Sequence, residues 1–294
     1  GAFEHKVRLR AFLVFVPHQV CLHSPSRFTE PSLMGVELKI PGRIALVTGA
    51  SAGIGKAISE TFAAAGARIA MVARTEAPLA AAAESIRAAG GDAIAISADV
   101  STAEGCAHAI AQAEAQLGAI DILVNNAGSS QRAPFADITD EQWQADLDLK
   151  VFGAIRLCRA VFPGMRERKF GRIINVLNTG AKAPPAGGAP TAVSRAAGMA
   201  LTKALSAEGA PDNVLVNGLL VGRIESAQWE KRHAAANTGE TLEEYYQKMG
   251  EVLPMKRVGT AQEFANMACF LASDAGSYIT GTAINVDGGL CPVV

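Results

Sequence analysis

From residue 43 onward, short apolar runs alternate with longer amphipathic stretches, and this alternation constrains the fold more than any other feature. Runs of this length and composition predict buried parallel strands, and the stretches between them predict helices. The predicted strands are Ile44–Thr48, Arg68–Ala73, Ala93–Ala98, Ile120–Val124, Arg172–Leu177, Val214–Leu219 and Ala283–Val286, and the helical windows are 54–65, 76–89, 101–117, 140–168, 190–209 and 261–273. Because such β-α-β units connect through right-handed crossovers, we expect a single α/β domain with a doubly wound, seven-stranded parallel sheet and helices on both faces.

A glycine-rich loop, Thr48–Gly55, follows the first predicted strand and opens the first predicted helix. Its glycines permit a tight turn and a close approach of the backbone to a phosphate, and the helix N-terminus supplies amide donors. Glycines also occur in ordinary turns, but the strand–loop–helix context favours a dinucleotide-binding Rossmann fold. The candidate cofactor contacts in this loop are Gly49, Ser51, Ala52, Gly53, Ile54 and Gly55.

Composition excludes several other classes of protein. The chain has 27 Lys and Arg against 28 Asp and Glu, which gives no electrostatic footprint for nucleic acid. No apolar run reaches the length of a membrane span. The five cysteines are scattered and form no C-x-x-C pair, so we expect free thiols in a reducing cytoplasm and no metal site.

Residues 1–33 do not share the pattern of the rest of the chain. Basic residues precede a short apolar run at 11–16, as in a signal peptide, but the run is short and has no small-residue cleavage site. We interpret this segment as an extension ahead of a start at Met34. A functional arm or a partner-binding strand is the alternative. The dinucleotide-binding domain is predicted to occupy residues 34–294.

A polar, helical stretch from Gly222 to Gly250 interrupts the regular alternation after the sixth strand. This position predicts a lid over a site at the carboxyl ends of the strands. The lid carries a mixture of charged and aromatic residues: Arg223, Glu225, Trp229, Lys231, Arg232, His233, Tyr245 and Tyr246. Such a mixture suits a polar or aromatic ligand, but an amphipathic surface helix has the same composition.

Further motifs follow the glycine loop in order. They are Asp99-Val100 after the third strand, Asn125-Asn126-Ala127-Gly128 at the end of the fourth, and Tyr278–Gly281 and Asn285–Gly289 near the end of the chain. With these motifs the sequence resembles the short-chain dehydrogenase/reductase family from about residue 40 to 290, and most closely its 3-oxoacyl-carrier-protein reductase-like branch. The resemblance implies hydride transfer between a nicotinamide cofactor and a carbonyl or alcohol, and a homotetramer or homodimer. It also implies cofactor contacts at Asp99, Val100, Asn125, Ala127, Gly128, Arg195, Gly222 and Ile224.

The end of the second strand bears on the choice of cofactor. NAD-dependent enzymes usually place a carboxylate there to bind the ribose 2′-hydroxyl, but this position is Ala73 and the next residue is Arg74. A guanidinium can bind a 2′-phosphate in bidentate fashion, so we expect NADP(H) to be preferred over NAD(H). The alternative is that Arg74 is a solvated loop residue.

The resemblance implies a catalytic tetrad of Asn, Ser, Tyr and Lys, and none of the four is present. By spacing, the corresponding residues are Lys150, Asn178, Thr191 and Arg195. A threonine hydroxyl is far less acidic than a phenol, so Thr191 is expected to donate a hydrogen bond and Arg195 to contact the cofactor ribose. Lys150 is the titratable group among the four, and the lid tyrosines are further candidate proton donors.

Two functions are compatible with this pattern. The first is an NADP(H)-dependent oxidoreductase that interconverts a carbonyl and an alcohol through a modified proton path, since hydride chemistry belongs to the cofactor. The second is a non-catalytic dinucleotide-binding sensor or partner protein that has lost the Tyr/Lys acid–base pair. The sequence alone does not distinguish a rebuilt site from drift after the loss of activity.

Overall fold

Seven parallel strands form one sheet in the order β3-β2-β1-β4-β5-β6-β7. The computed structural model describes residues 38–130 and 133–294, and the prediction for residues 1–33 lies outside them. The strands are β1 Ile44–Thr48, β2 Arg68–Ala73, β3 Asp92–Ser97, β4 Ile122–Asn125, β5 Gly171–Asn178, β6 Val214–Val221 and β7 Ala283–Val286. The predicted doubly wound parallel sheet is confirmed.

Nine α-helices occur in the described residues, and together they cover both faces of the sheet. They are α1 Gly53–Ala64, α2 Glu76–Ala88, α3 Ala103–Leu117, α4 Asp140–Leu147, α5 Gly153–Glu167, α6 Thr191–Gly209, α7 Ala227–Ala236, α8 Leu242–Glu251 and α9 Ala261–Ala272. None of these helices is both long enough and apolar enough to cross a bilayer.

Alternation along the strands divides the core into two layers. In β1, Leu46 and Val47 are neighbours, and both are fully buried in different hydrophobic clusters on opposite faces of the sheet. Phe62 of α1 and Phe264 of α9 pack on the Val47 side, and Leu157 of α5 packs on the Leu46 side. Full burial of each such side chain stabilises the fold by roughly 1.5–3 kcal/mol, and strands buried on both faces explain the continuous apolar runs in the sequence.

The topology positions a site between two neighbouring strands. β1 pairs with β2 on one side and with β4 on the other, so the connections after β1 and β4 leave toward opposite faces of the sheet. A crevice opens where connections diverge in this way, at the carboxyl ends of the strands. The glycine loop lies at the end of β1 and therefore at this crevice.

The prediction of one uninterrupted helix over 140–168 is wrong. A π-helical turn, Asp148–Phe152, separates α4 from α5 and contains Lys150. The wider turn carries the side chain of Lys150 into the interior, where it is 1% exposed. Apolar periodicity does not reveal such a turn, because the buried side chain in it is polar, and π turns recur at functional sites.

The stretch from Gly222 to Gly250 is helical as predicted, and it forms α7 and most of α8. A reciprocal capping box between Thr241 and Glu244 fixes the start of α8. Tyr245 and Tyr246 pack with Trp229 against a small apolar cluster that includes Met249. This packing holds the two lid helices together.

Candidate active site

A cleft of about 530 Å³ lies at the carboxyl ends of the strands and joins the glycine loop to the lid. Many of the residues selected from the sequence line it: Gly49, Ala52, Gly53, Ile54, Gly55, Gly128, Asn178, Thr191, Arg195, Gly222 and Ile224. Others selected from the sequence are not among its lining residues: Ser51, Arg74, Asp99, Val100, Asn125, Ala127 and Lys150. The fold therefore unites the predicted phosphate loop with three of the four tetrad positions.

The glycine loop depends on the absence of side chains. Gly49 and Gly53 have φ values of +66° and +55°, in the left-handed region that favours glycine. At Gly55, a Cβ would lie 2.2 Å from the carbonyl oxygen of Gly49, so a side chain at this position would collide with the loop.

The first turn of α1 also fits a bound phosphate. No side chain caps this helix at Ala52, so its first amides retain their hydrogen-bonding capacity. Gly53, Ile54 and Gly55 of this turn line the cleft. These residues fit the pyrophosphate of a dinucleotide.

Asn126 fastens the glycine loop to β4. Its Nδ2 donates to the carbonyl oxygens of Thr48 and Gly49, over 2.9 and 3.3 Å. The side chain of Asn125, which sequence reasoning selected instead, donates to Asn175 Oδ1 over 2.8 Å inside the protein. Sequence reasoning missed Asn126, although the repeated asparagine was a visible signal.

Arg74 and Asp99 lie beyond the cleft lining, at the ends of β2 and β3. Arg74 is exposed. Asp99 accepts hydrogen bonds from Ser101 N over 3.0 Å and from Ser101 Oγ over 2.8 Å. Burial raises the pKa of Asp99, but the bonds from Ser101 and the charge of Arg74 outweigh burial and lower it overall. Asp99 is therefore anionic near neutral pH and close enough to Arg74 to feel its charge.

Arg195 is fixed between β5 and the loop after β4. Its Nη1 donates to the carbonyl oxygen of Val176 over 2.7 Å. Gly128 makes room for the guanidinium, because a Cβ on Gly128 would lie 2.4 Å from Arg195 Nη2. Burial lowers the pKa of Arg195 to about 10, against the opposing influence of Asp146, so the side chain stays cationic at neutral pH.

Behind Thr191 lies a buried polar network. Lys150 Nζ donates to Thr191 Oγ1 over 2.9 Å and also to Asp146 Oδ1. Ser194 Oγ donates to the other carboxylate oxygen of Asp146 over 2.6 Å. We call these four residues, Asp146, Lys150, Thr191 and Ser194, the lysine network.

Sequence reasoning missed two members of the lysine network, Asp146 and Ser194. The spacing of Asp146 and Lys150 was a usable signal, because residues four apart share one side of a helix. Thr191 lines the cleft, whereas Lys150 lies behind it. Thr191 is therefore the member through which the network meets a ligand in the cleft.

Lys150 has an altered acidity. Burial, the largest influence, and the charge of Arg195 together lower the pKa of Lys150 to about 8, against the opposing hydrogen bond and charge of Asp146. A lysine with this pKa exchanges protons near neutral pH, which an ordinary exposed lysine does not.

Comparison with known proteins agrees with this architecture. A family model described as enoyl-(acyl carrier protein) reductase matches residues 49–291. The chain belongs to the short-chain dehydrogenase/reductase family. It is 38% identical over 247 residues to acetoacetyl-CoA reductase from Shinella zoogloeoides, which covers 84% of this chain and 98% of that protein. It is 34% identical over 246 residues to the short-chain reductase NovJ from Streptomyces niveus, covering 84% and 93% of the two chains.

A solved structure resembles the fold over nearly the same range. L-sorbose reductase from Gluconobacter frateurii, complexed with NADPH and L-sorbose, superposes with a TM-score of 0.84 at 36% identity. The match covers 88% of this chain and 100% of the L-sorbose reductase chain. The family likeness thus extends across the described domain from the glycine loop to the last strand.

Proposed function

We propose that this protein is an NADP(H)-dependent oxidoreductase that interconverts a carbonyl and an alcohol by hydride transfer. The observation that carries the proposal is the single cleft that joins the glycine loop to Thr191 and the lysine network. Membership of the short-chain dehydrogenase/reductase family and the NADPH bound by the L-sorbose reductase support it.

Residues of this chain are available to bind each part of the cofactor. The first-turn amides of α1 would bind the pyrophosphate, and Arg195 would hold the ribose next to the nicotinamide. Asp99 and Val100 would contact the adenine end, Arg74 the 2′-phosphate, and Gly222 and Ile224 the nicotinamide end. When bound, the nicotinamide donates or accepts the hydride.

We assign the proton path to the lysine network. In carbonyl reduction, the substrate oxygen takes the proton of the Thr191 hydroxyl, and Thr191 Oγ1 takes a proton from the Lys150 ammonium, which becomes neutral. In alcohol oxidation the same protons move in reverse. Asp146 holds the ammonium in place, and Ser194 holds the Asp146 carboxylate. Asn178 lines the cleft and would donate an amide hydrogen bond to the same substrate oxygen.

We also propose that the protein is a homo-oligomer, a dimer or a tetramer, in the cytoplasm. Apolar side chains that are exposed in the single subunit support the homo-oligomer: Phe152, Val193 and Tyr278. Phe152 and Val193 lie on the stretches 140–168 and 190–209, which the family resemblance implies as interfaces. Light scattering on the purified protein would give the subunit number, and a monomer at micromolar concentration would contradict this part.

Binding and single-turnover kinetics together test the central proposal. The change in cofactor fluorescence would give the dissociation constants of NADPH and NADH, and stopped-flow absorbance would then follow NADPH oxidation with a panel of carbonyl compounds. We expect NADPH to bind more tightly and to be oxidised by part of the panel. Tight NADPH binding without hydride transfer to any panel member would overturn the enzyme assignment and favour a non-catalytic role.

A further inference from the structure

The charged side chains that line the cleft all have one sign. Among the described lining residues there are three arginines, Arg195, Arg223 and Arg232, and no aspartate or glutamate. A cleft lined by one sign of charge concentrates ligands of the opposite sign. Arg195 is already committed to Val176, so the two lid arginines remain to be explained.

Arg223 and Arg232 lie around one tryptophan of the lid. Their guanidinium carbons are 5.8 Å and 4.8 Å from the ring centroid of Trp229. Within the described residues, neither guanidinium has a hydrogen bond or an ion pair. Each keeps its full set of N–H donors for a ligand in the cleft.

Trp229 is itself held in position. It packs against the lid cluster of Met249, Leu253 and Val258. Guanidinium groups held beside a fixed ring lose less freedom when they bind, and their fork geometry matches a carboxylate or a phosphate. The arrangement is therefore suited to an oxyanion.

The position of Arg232 along α7 differs from that of the residues that face the glycine loop. The start of α7 faces the glycine loop, because a Cβ on Gly53 would lie 3.8 Å from Ser226 and Ala227. Arg232 lies five residues further along the helix, about 7.5 Å at 1.5 Å per residue. This displacement places the backbone of Arg232 beyond the first turn of α7, which meets the loop.

We propose that Arg223 and Arg232 bind a carboxylate or phosphate group of the substrate, so that the protein acts on anionic carbonyl compounds and their alcohols. This inference rests on the proposed function, since it names the substrate class of the same cleft.

Matched substrate pairs test the substrate class. Acetoacetate would be compared with acetoacetamide, and dihydroxyacetone phosphate with dihydroxyacetone. We expect kcat/KM to be at least ~10-fold higher for the charged member of one or both pairs, as charge-assisted hydrogen bonds predict. The pair that shows the larger ratio identifies the oxyanion as carboxylate or phosphate. Equal kcat/KM within both pairs would overturn the inference while hydride transfer itself stands.

Variants of the two arginines locate the effect. Arg223→Ala and Arg232→Ala should each raise KM for the charged member ~10–100-fold, and should lower kcat/KM for the charged member at least ~10-fold more than for the neutral member. Lys231→Ala is the control, because Lys231 is an exposed cation on the same helix that does not line the cleft. An increase in the NADPH dissociation constant without a change in substrate KM would overturn the inference, since the arginines would then serve the cofactor.

A binding assay makes the inference independent of turnover. Trp143 and Trp229 are the two tryptophans of the chain, so a Trp143→Phe variant reports on Trp229 alone. Acetoacetate or inorganic phosphate, titrated into the protein loaded with NADP⁺, which cannot reduce a carbonyl, should change its fluorescence saturably, and Arg232→Ala should abolish this change. Saturation that persists unchanged in both arginine variants would contradict the inference. Saturation that is lost in them supports the anion site even where no hydride transfer is observed.

Discussion

The glycine loop and the lysine network border one cleft but are built by opposite means. The loop presents backbone groups to the cleft, and the first amides of α1 are left for a ligand to bind. The network is a set of hydrogen-bonded side chains, and Lys150 has its partners inside the protein. Amides without a partner can hydrogen-bond a ligand directly, whereas a side chain in the network has to give up an existing hydrogen bond before it can bind a ligand. The comparison teaches that binding and proton transfer impose different demands on the same cleft.

The largest effect is expected from a variant that disrupts the glycine loop. Gly55→Ala would place a Cβ against the Gly49 carbonyl and displace the loop. Losing two charge-assisted hydrogen bonds costs about 3–6 kcal/mol, so NADPH affinity should fall ~10²–10⁴-fold in a fluorescence titration. Gly90→Ala is the control, because its Cβ meets open space at φ +86°, and it should cost about 1–2 kcal/mol of stability with NADPH affinity intact. Normal NADPH affinity in Gly55→Ala would refute the assignment of the phosphate loop.

The next largest effect is expected from a variant that interrupts the lysine network. Thr191→Val removes the hydroxyl that joins Lys150 to the cleft, and kcat should fall ~10²–10⁴-fold while NADPH affinity stays the same. Thr191→Ser keeps the hydroxyl and should retain most of the activity. If the valine variant turned over at the normal rate, the proton would have to come from another group.

The pH dependence should sharpen the comparison further. Since the pKa of Lys150 is lowered to about 8, chiefly by burial, its ammonium form declines as the pH rises through that value. Carbonyl reduction requires this form, so its kcat should fall ~10-fold per pH unit above the pKa. Alcohol oxidation requires neutral Lys150, so its kcat should rise up to about pH 8 and then level off. Profiles that move in the same direction for the two reactions would exclude Lys150 as the proton source.

The smallest effect is expected at Arg74, which lies outside the cleft lining after β2. Arg74→Ser should weaken NADPH binding about 10-fold and leave NADH binding unchanged, because only NADPH carries the 2′-phosphate. Arg159→Ser, which removes an exposed arginine of α5, serves as the control. Parallel loss of both cofactors in Arg74→Ser would show that Arg74 supports the loop rather than selecting the phosphate.

Strands and the glycine loop could be predicted from the sequence because local signals encode both. A strand buried on both faces is a continuous apolar run, and the predicted strand ends lie within two residues of those observed in β5 and β6. The π-helical turn at Lys150 could not be predicted, since Thr191, which Lys150 contacts, lies on α6, far along the chain. Likewise, which of Asn125 and Asn126 meets the cleft depends on packing against β5 and the loop.

The pairing of Asp146 with Lys150 has a consequence for how this site can change over generations. Exchanging Lys150 alone for the family's asparagine would leave the buried Asp146 carboxylate without its counter-charge, which costs about 3–5 kcal/mol, a large part of a domain's stability. Exchanging Asp146 alone would leave the ammonium in the same position. The two positions are therefore coupled: replacing Lys150 is expected to cost less stability when Asp146 is replaced with it.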